Sequence, residues 1–321
     1  MTTLHAYDLG PATLAVEAEH PGLLGGFEHF LGGRRLDDPP SPTFSVAIRV
    51  GTPEAPPAEA GILYRGPLLE EGECVFASAG DRYFMTFPGE ASMSVDTVAS
   101  CATITVSPGH LRRATGSLAA LAIEFAHDGD GQQLVHAAGL TLPEGRGMVL
   151  VSAPSGTGKT TTALALARHG LAFAADDVLA LRHTAGGVMA RGLPRALNVH
   201  RDTAGMLPWL PVGESWNSHD EQSLPWRRLA GVVALESGEL PVSRLVLLQR
   251  GDVSAVEPLE AADMLAALAA DNVRSSLAGL TPLNRRRFAM LGELARTVPA
   301  FRATLAGGLA GIEAVAEALK A

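Results

Sequence analysis

Between Thr43 and Val50 apolar and polar residues alternate as on a half-buried strand, and shorter strand-like pieces follow at Gly61 to Tyr64, Arg82 to Phe87 and Ala102 to Val106. Ahead of them, Phe27, Phe30 and Leu31 fall on one face of a short helix, closed by the Pro-rich break from Asp37 to Pro42. A Pro- and Ala-rich linker runs from Pro53 to Glu59. This region reads as α+β, with Tyr64, Tyr83 and Phe84 as core or docking residues, and it shows no catalytic constellation. From Ser107 the pattern changes. Leu111 to Phe125 has helical spacing and good helix formers, ending at Gly129-Asp130-Gly131. Gln133 to Leu142 reads as one strand or a hairpin arm, and the turn from Pro143 to Gly147 feeds the apolar run Met148 to Val151. The expected domains are therefore residues 1–110 and 111–321.

The run Met148 to Val151 is too short for a helix and rich in β-branched residues, so it predicts a buried strand. It stops at Ala153-Pro154-Ser155-Gly156-Thr157-Gly158-Lys159-Thr160. Gly156 and Gly158 permit a tight turn with its N–H groups facing inward, and the helix expected from Thr160 to Arg168 points its positive end at the same spot. Such a loop, from Ser155 through Thr161, suits the phosphates of ATP, with Lys159 reaching the terminal phosphates and the Thr160 hydroxyl holding Mg²⁺. Gly170 is a natural cap for that helix, and the strand Leu171 to Ala175 then ends in Asp176-Asp177. In an open α/β sheet ligands bind at the carboxyl ends of strands, which predicts that the acidic pair faces the loop from the neighbouring strand. Phosphoryl transfer needs one carboxylate for metal and one to orient or deprotonate the attacking hydroxyl. Asp176 joins Thr160 as a metal candidate, while which aspartate takes the proton stays open. A lone histidine such as His136 on an apolar strand is more often a satisfied core residue than a functional one.

Composition narrows the class. Of the 321 residues 47% are hydrophobic and 18% charged, which describes a folded chain long enough for one large or two moderate domains. A net charge of −9 without basic runs gives no footprint for nucleic acid. The two cysteines, Cys74 and Cys101, stand far apart without neighbouring ligand pairs, so neither a disulfide framework nor a zinc site is expected, and a reducing cytoplasm fits. The N-terminus MTTLHAYDLG lacks the basic and apolar segments of a secretory signal, and no apolar run is long enough to span a bilayer.

His136, the loop Ala153 to Thr160 and Ala174-Ala175-Asp176-Asp177, in that order, resemble the catalytic domain of HPr kinase/phosphorylase and the broader HprK-related kinases. The segment Ala190 to Arg195 resembles the Arg-Gly segment of the same proteins, as, less specifically, do Arg244 to Arg250, Val256 to Leu259 and Phe288 to Phe301. The resemblance covers roughly residues 130 to 321 and implies an α/β fold with a mixed sheet, P-loop-containing and phosphoenolpyruvate carboxykinase-like, preceded by a smaller α+β N-terminal domain. It also implies that Lys159 binds the β- and γ-phosphates, that Thr160 is a magnesium ligand, that one of Asp176 and Asp177 is general base, and that His136 lies near the acidic pair. HPr kinases are hexamers, so self-association is allowed. Two positions depart from the pattern. Ala153 replaces the usual first glycine, and Val188-Met189-Ala190 stand where an acidic residue would precede Arg191, which argues against assuming the reverse, phosphorylase reaction.

From Arg195 to Arg228 the chain is aromatic, basic and turn-rich, with Trp209, Trp216 and Trp226 among Arg201, Arg227 and Arg228. Loops of that length are often lids, and Trp with Arg is the composition of binding hot spots, so a peptide-docking lid is weighed equally against tryptophans that pack the loop down. Arg195, Arg227 and Trp226 are the candidate substrate contacts. Amphipathic helices are expected at Asp263 to Ala270, Phe288 to Val298 and Ile312 to Leu319, with Arg285 to Arg287 a solvated helix start. The sequence thus predicts a cytoplasmic ATP-dependent kinase acting on a serine or other hydroxyl of a small protein or peptide. A small-molecule kinase and a non-catalytic nucleotide-binding module are the alternatives.

Overall fold

At the start of the chain Thr3–Asp8 (β1) and Thr13–Ala18 (β2) pair antiparallel, and Tyr7, Leu14, Val16 and Ala18 are fully buried. The computed structural model describes residues 2–68, 72–154, 156–193, 195–273, 275–276, 279–280, 282–307 and 309–321, and they divide into two units, Met1–Gln132 with Ser275–Asn284, and Gln133–Arg274 with Arg285–Ala321.

The first unit continues with α1 (Gly25–Leu31), β3 (Arg35–Leu36), β4 (Phe44–Val50), β5 (Gly61–Pro67), β6 (Glu73–Ala79), β7 (Arg82–Phe87), β8 (Ala91–Asp96) and β9 (Cys101–Val106). All nine strands form one sheet in the order β3-β1-β2-β4-β9-β8-β7-β6-β5. Phe44, Val46 and Ile48 of β4 turn inward at every second position, as expected. Phe27 and Leu31, one helical turn apart on α1, are buried. The helix expected over Leu111 to Phe125 is two, α2 (Arg112–Thr115) and α3 (Ser117–Gly129), because Gly116 between them adopts φ −110°, ψ −118°, outside the regions open to side-chain-bearing residues. Both helices pack on this sheet, α2 on β9 and α3 on β4 and β8, and Phe125 of α3 lies 5.0 Å from the Tyr83 ring. The division of the chain consequently falls after Gln132, not near residue 110. Tyr83 and Phe84 are core residues, whereas Tyr64 is exposed, and Cys74 and Cys101 are not disulfide-bonded.

The second unit comprises β10 (Gln132–His136), β11 (Ala138–Thr141), β12 (Met148–Ser152), α4 (Lys159–Arg168), β13 (Ala172–Ala175), β14 (Val178–Thr184), β15 (Gly187–Gly192), β16 (Leu197–His200), α5 (Arg201–Met206), β17 (Glu221–Leu224), β18 (Glu239–Arg250), β19 (Ala255–Pro258) and α6 (Ala261–Asn272). After the short β20 (Ser275–Ser276) and β21 (Gly279–Leu280) of the first unit come α7 (Pro282–Thr297), β22 (Ala300–Leu305) and α8 (Ile312–Lys320). Its mixed sheet runs β10-β14-β15-β18-β12-β11-β13, with β22 also beside β18 and β19 beside β22. β12 is apolar from Met148 to Val151 because both its faces are covered. Val149 and Val151 join the core formed by α4 and α8, whereas Met148 and Leu150 join that formed by α6 and α7. The stretch expected as one strand from Gln133 breaks at Ala137, so that β10 lies beside β14 while β11 enters between β12 and β13. α4 ends in a Schellman pair, Leu171 N–H to Leu166 O and Gly170 N–H to Ala167 O. α7 begins six residues before the expected Phe288, which takes Arg285 to Arg287 into the helix. Arg287 is buried and donates to Asn272 O at 3.1 Å, so the triplet is not wholly a solvated helix start.

Candidate active site

The order of β11, β12 and β13 explains why distant residues meet. β11 is antiparallel to both neighbours, pairing Ala138 with Val151 and Gly139 with Ala175. β12 and β13 therefore run the same way and finish at the end of the sheet where β11 begins. The loop leaves β12 there, Asp176-Asp177 leaves β13, and His136-Ala137 enters β11. The acidic pair does not come from the strand next to β12, as expected, but from one strand further, with β11 between. Two strand spacings amount to about 10 Å, which the loop and the Lys159 side chain span together. Ala137 N–H donates to Asp177 O at 3.1 Å and fixes the corner.

Lys159 Nζ donates to Asp176 O at 2.7 Å and to Asp177 Oδ1 at 3.0 Å. Thr160 Oγ1 lies 3.4 Å from Asp176 Oδ2. His136 Nδ1 is 2.9 Å from Asp177 Oδ1, and Arg195 Nη2 donates to Asp177 Oδ2. Asp177 is thus held by three basic side chains, while Asp176 is the more buried of the two and faces Thr160. Gly192 delivers Arg195 to this corner. A Cβ on Gly192 would stand 2.3 Å from Ala174 O, so only glycine lets the chain leaving β15 press against β13, and Leu193 N–H then bonds Val178 O of β14 at 3.1 Å.

Burial raises the Asp176 carboxyl above its ordinary value, against the pull of Arg195 and Lys159. The same desolvation lowers Lys159 to about 8, opposed by Asp176. His136 is lowered chiefly by burial and then by Lys159. A neutral imidazole satisfies the 2.9 Å contact by donating Nδ1–H to Asp177, a tautomer assigned from that partner. Arg195 is lowered as well, mainly by burial.

The loop has the form a phosphate needs. Gly156 and Gly158 both take left-handed φ, 77° and 92°, and α4 begins at Lys159 without a side-chain cap on its first N–H groups. Ser155 lies outside the described residues. Thr161 turns its hydroxyl to Thr203 of α5 at 2.8 Å, which leaves its backbone as the part that could meet a phosphate. Among the described residues no group of three or more His, Cys, Asp or Glu could cage a metal. Mg²⁺ needs no such cage when phosphates and water complete its shell, and the Thr160–Asp176 pair fits that mode.

The other substrate candidates lie elsewhere. Trp226 is half-buried against the α4 core, as is Trp209, over which Arg168 lies at 5.9 Å, and Arg227 is exposed. Trp216 is covered by Arg201 at 5.2 Å. Packing thus accounts for two of the three tryptophans.

Sequence reasoning missed Asn272 and Arg250. The Asn272 amide brackets the His136 backbone, accepting from its N–H at 2.5 Å and donating to its O at 3.4 Å, and Asp271 beside it counters the lowering of the His136 pKa. Arg250 Nε donates to Thr157 O in the loop at 2.9 Å. Neither had a local signal, because each sits at the end of an element whose neighbours only the sheet order reveals.

Among solved structures, the chain is similar to the Hpr(Ser) kinase/phosphatase from Coxiella burnetii, with 14% identity and a TM-score of 0.33 over 59% of this chain and 88% of that one. The likeness is distant and carries no residue's role with it. No protein-family model and no curated protein matches the chain. No helix among the described residues is long and apolar enough to cross a membrane.

Proposed function

We propose that this chain is an ATP-dependent kinase that transfers a phosphoryl group to a serine or other hydroxyl of a small protein or peptide. The observation that carries the reading is the meeting of Lys159, Thr160, Asp176, Asp177, His136 and Arg195 at one end of one sheet. A generic nucleotide site accounts for the loop, Lys159 and Thr160. It leaves unexplained why a second carboxylate, Asp177, is oriented by a histidine and an arginine as well.

Mg·ATP, when bound, supplies the phosphoryl group and part of the charge that neutralises its transfer. Thr160 and Asp176 would hold the metal, and the cation would favour the ionised form that burial disfavours at Asp176. Lys159 exchanges its contacts with the acidic corner for the phosphates. That exchange leaves the Asp177 carboxylate to accept the proton of the attacking hydroxyl, with His136 Nδ1–H fixing Oδ1. Arg195, held by Asp177 in the free protein, lies where it can meet negative charge on the group in transfer. Positioning and preorganised charge do most of the work in this scheme.

The test is ADP formation by the full chain with Mg·ATP and a panel of small peptides, read together with mass spectrometry of the peptides. A gain of about 80 Da on one peptide, lost in Asp177→Asn while nucleotide binding persists, supports the reading. ADP formation that Asp177→Asn leaves intact, or nucleotide binding with no acceptor modified across the panel, removes it in favour of a binding module.

A further inference from the structure

Arg250 closes β18, the strand parallel to β12 on the side away from β11. Ser152, the last residue of β12, pairs with Leu247, so β18 runs three residues beyond it, about 10 Å, along the flank of the phosphate loop. At that point the guanidinium meets the loop. Its Nε donates to Thr157 O at 2.9 Å, and Nη2 lies 2.4 Å from where a Cβ on Gly158 would stand.

The stereochemistry of one peptide gives these contacts a consequence. Between Thr157 and Gly158 the C=O and the following N–H share a plane and point in opposite directions. Holding the carbonyl toward Arg250 therefore aims the Gly158 N–H to the far side. Gly158, at φ 92° and without a side chain, gives that plane little resistance of its own to turning over. The Thr157 N–H is already engaged with Pro154 O at 3.1 Å, which leaves the 157–158 peptide as the one to be fixed.

We infer that Arg250 is a positioning residue that clamps the phosphate loop from outside, presetting the Gly158 amide for a nucleotide phosphate common to ADP and ATP. The clamp itself is present in the free protein, and only its use rests on the proposed function. It accounts for a basic side chain whose Nε donates to a loop carbonyl. It also gives Gly158 a second reason to be glycine, since any Cβ would displace Arg250.

The experiment compares the full chain with Arg250→Gln. Amide hydrogen exchange over residues 156–160 is measured without nucleotide, against α8 amides in the same sample, and affinity is titrated with Mg·ADP and Mg·ATP. The expected result is exchange about tenfold faster in the loop alone, with affinity for both nucleotides weakened about tenfold, the scale of one hydrogen bond involving a charged group. Exchange within twofold of the wild type overturns the clamp, as does a parallel rise in α8, which marks general destabilisation. A loss confined to ATP overturns it too, making Arg250 a direct γ-phosphate contact. If the wild-type chain binds neither nucleotide, the kinase reading falls, while the exchange measurement still decides whether Arg250 orders the loop.

Discussion

The corner around Asp177 and the tryptophan-rich stretch from Arg195 to Arg228 both carry residue types that binding sites use, yet they are built differently. At the corner, His136, Lys159 and Arg195 come from three separate segments and converge on the carboxylate of a fourth, Asp177. In the stretch, Trp209 and Trp226 turn onto the α4 core and Arg201 covers Trp216 from within the same segment. Convergence of charge from several elements requires the fold to desolvate those groups, a cost that packing alone does not impose. Aromatic side chains near one another in sequence need no function to explain them, because burying their area stabilises the loop. The lowered Lys159 and the raised Asp176 record that cost at the corner.

The sharpest way to break this contrast is Asp177→Asn, which should lower phosphoryl transfer about a hundredfold to ten-thousandfold. A variant that keeps full turnover would reduce the corner to an ion-pair network. Lys159→Ala should weaken Mg·ATP affinity about a hundredfold, measured by calorimetric titration. On the other side of the comparison, Trp226→Ala should cost about 3 kcal/mol of stability, the low end for a large aromatic, because the ring is only half-buried. Denaturant unfolding checks this, and a change in acceptor KM without a change in stability would restore the docking role.

A pH titration sharpens the corner alone. Free Lys159 loses its proton near pH 8, whereas phosphate-bound Lys159 retains it, so binding takes up a proton above that pH. Affinity for ATP should fall by up to about tenfold per pH unit as pH rises from about 8 toward the ordinary lysine range, with matching proton uptake in calorimetry in two buffers. Lys159→Ala should flatten the slope. The smallest effect is expected from Arg227→Gln. At this exposed position stability should change by about 0.5 kcal/mol or less, and an altered acceptor KM would be the sign of a contact that packing does not explain.

Much of the fold was legible where one element's own pattern suffices. The apolar run of β12, the helix α4 with its cap at Gly170, and the strand before Asp176 stand where hydrophobic spacing and turn residues put them. Errors arose where a neighbour decides. The break at Ala137 is invisible locally, since the residues on both sides are equally strand-like, and it exists because β10 and β11 take separate places in the sheet. The helix before it splits at Gly116, a residue that permits a break but does not announce one. Thr161 belongs to the loop motif by position, yet its hydroxyl serves Thr203 because α5 packs there.

The chemistry on offer is written in local sequence, namely a glycine-rich turn before a helix, a lysine and threonine at the helix start, and an acidic pair after a short strand. These follow from local rules, in which spacing sets backbone conformation and residue type sets charge. Which side chains gather around that chemistry depends on how distant elements pack. An antiparallel β11 between β12 and β13 brings His136 to Asp177, the close approach at Gly192 brings Arg195, and the overrun of β18 brings Arg250 to the loop. Sheet order is set by which apolar faces bury together over the whole unit, and no short stretch of sequence contains that sum.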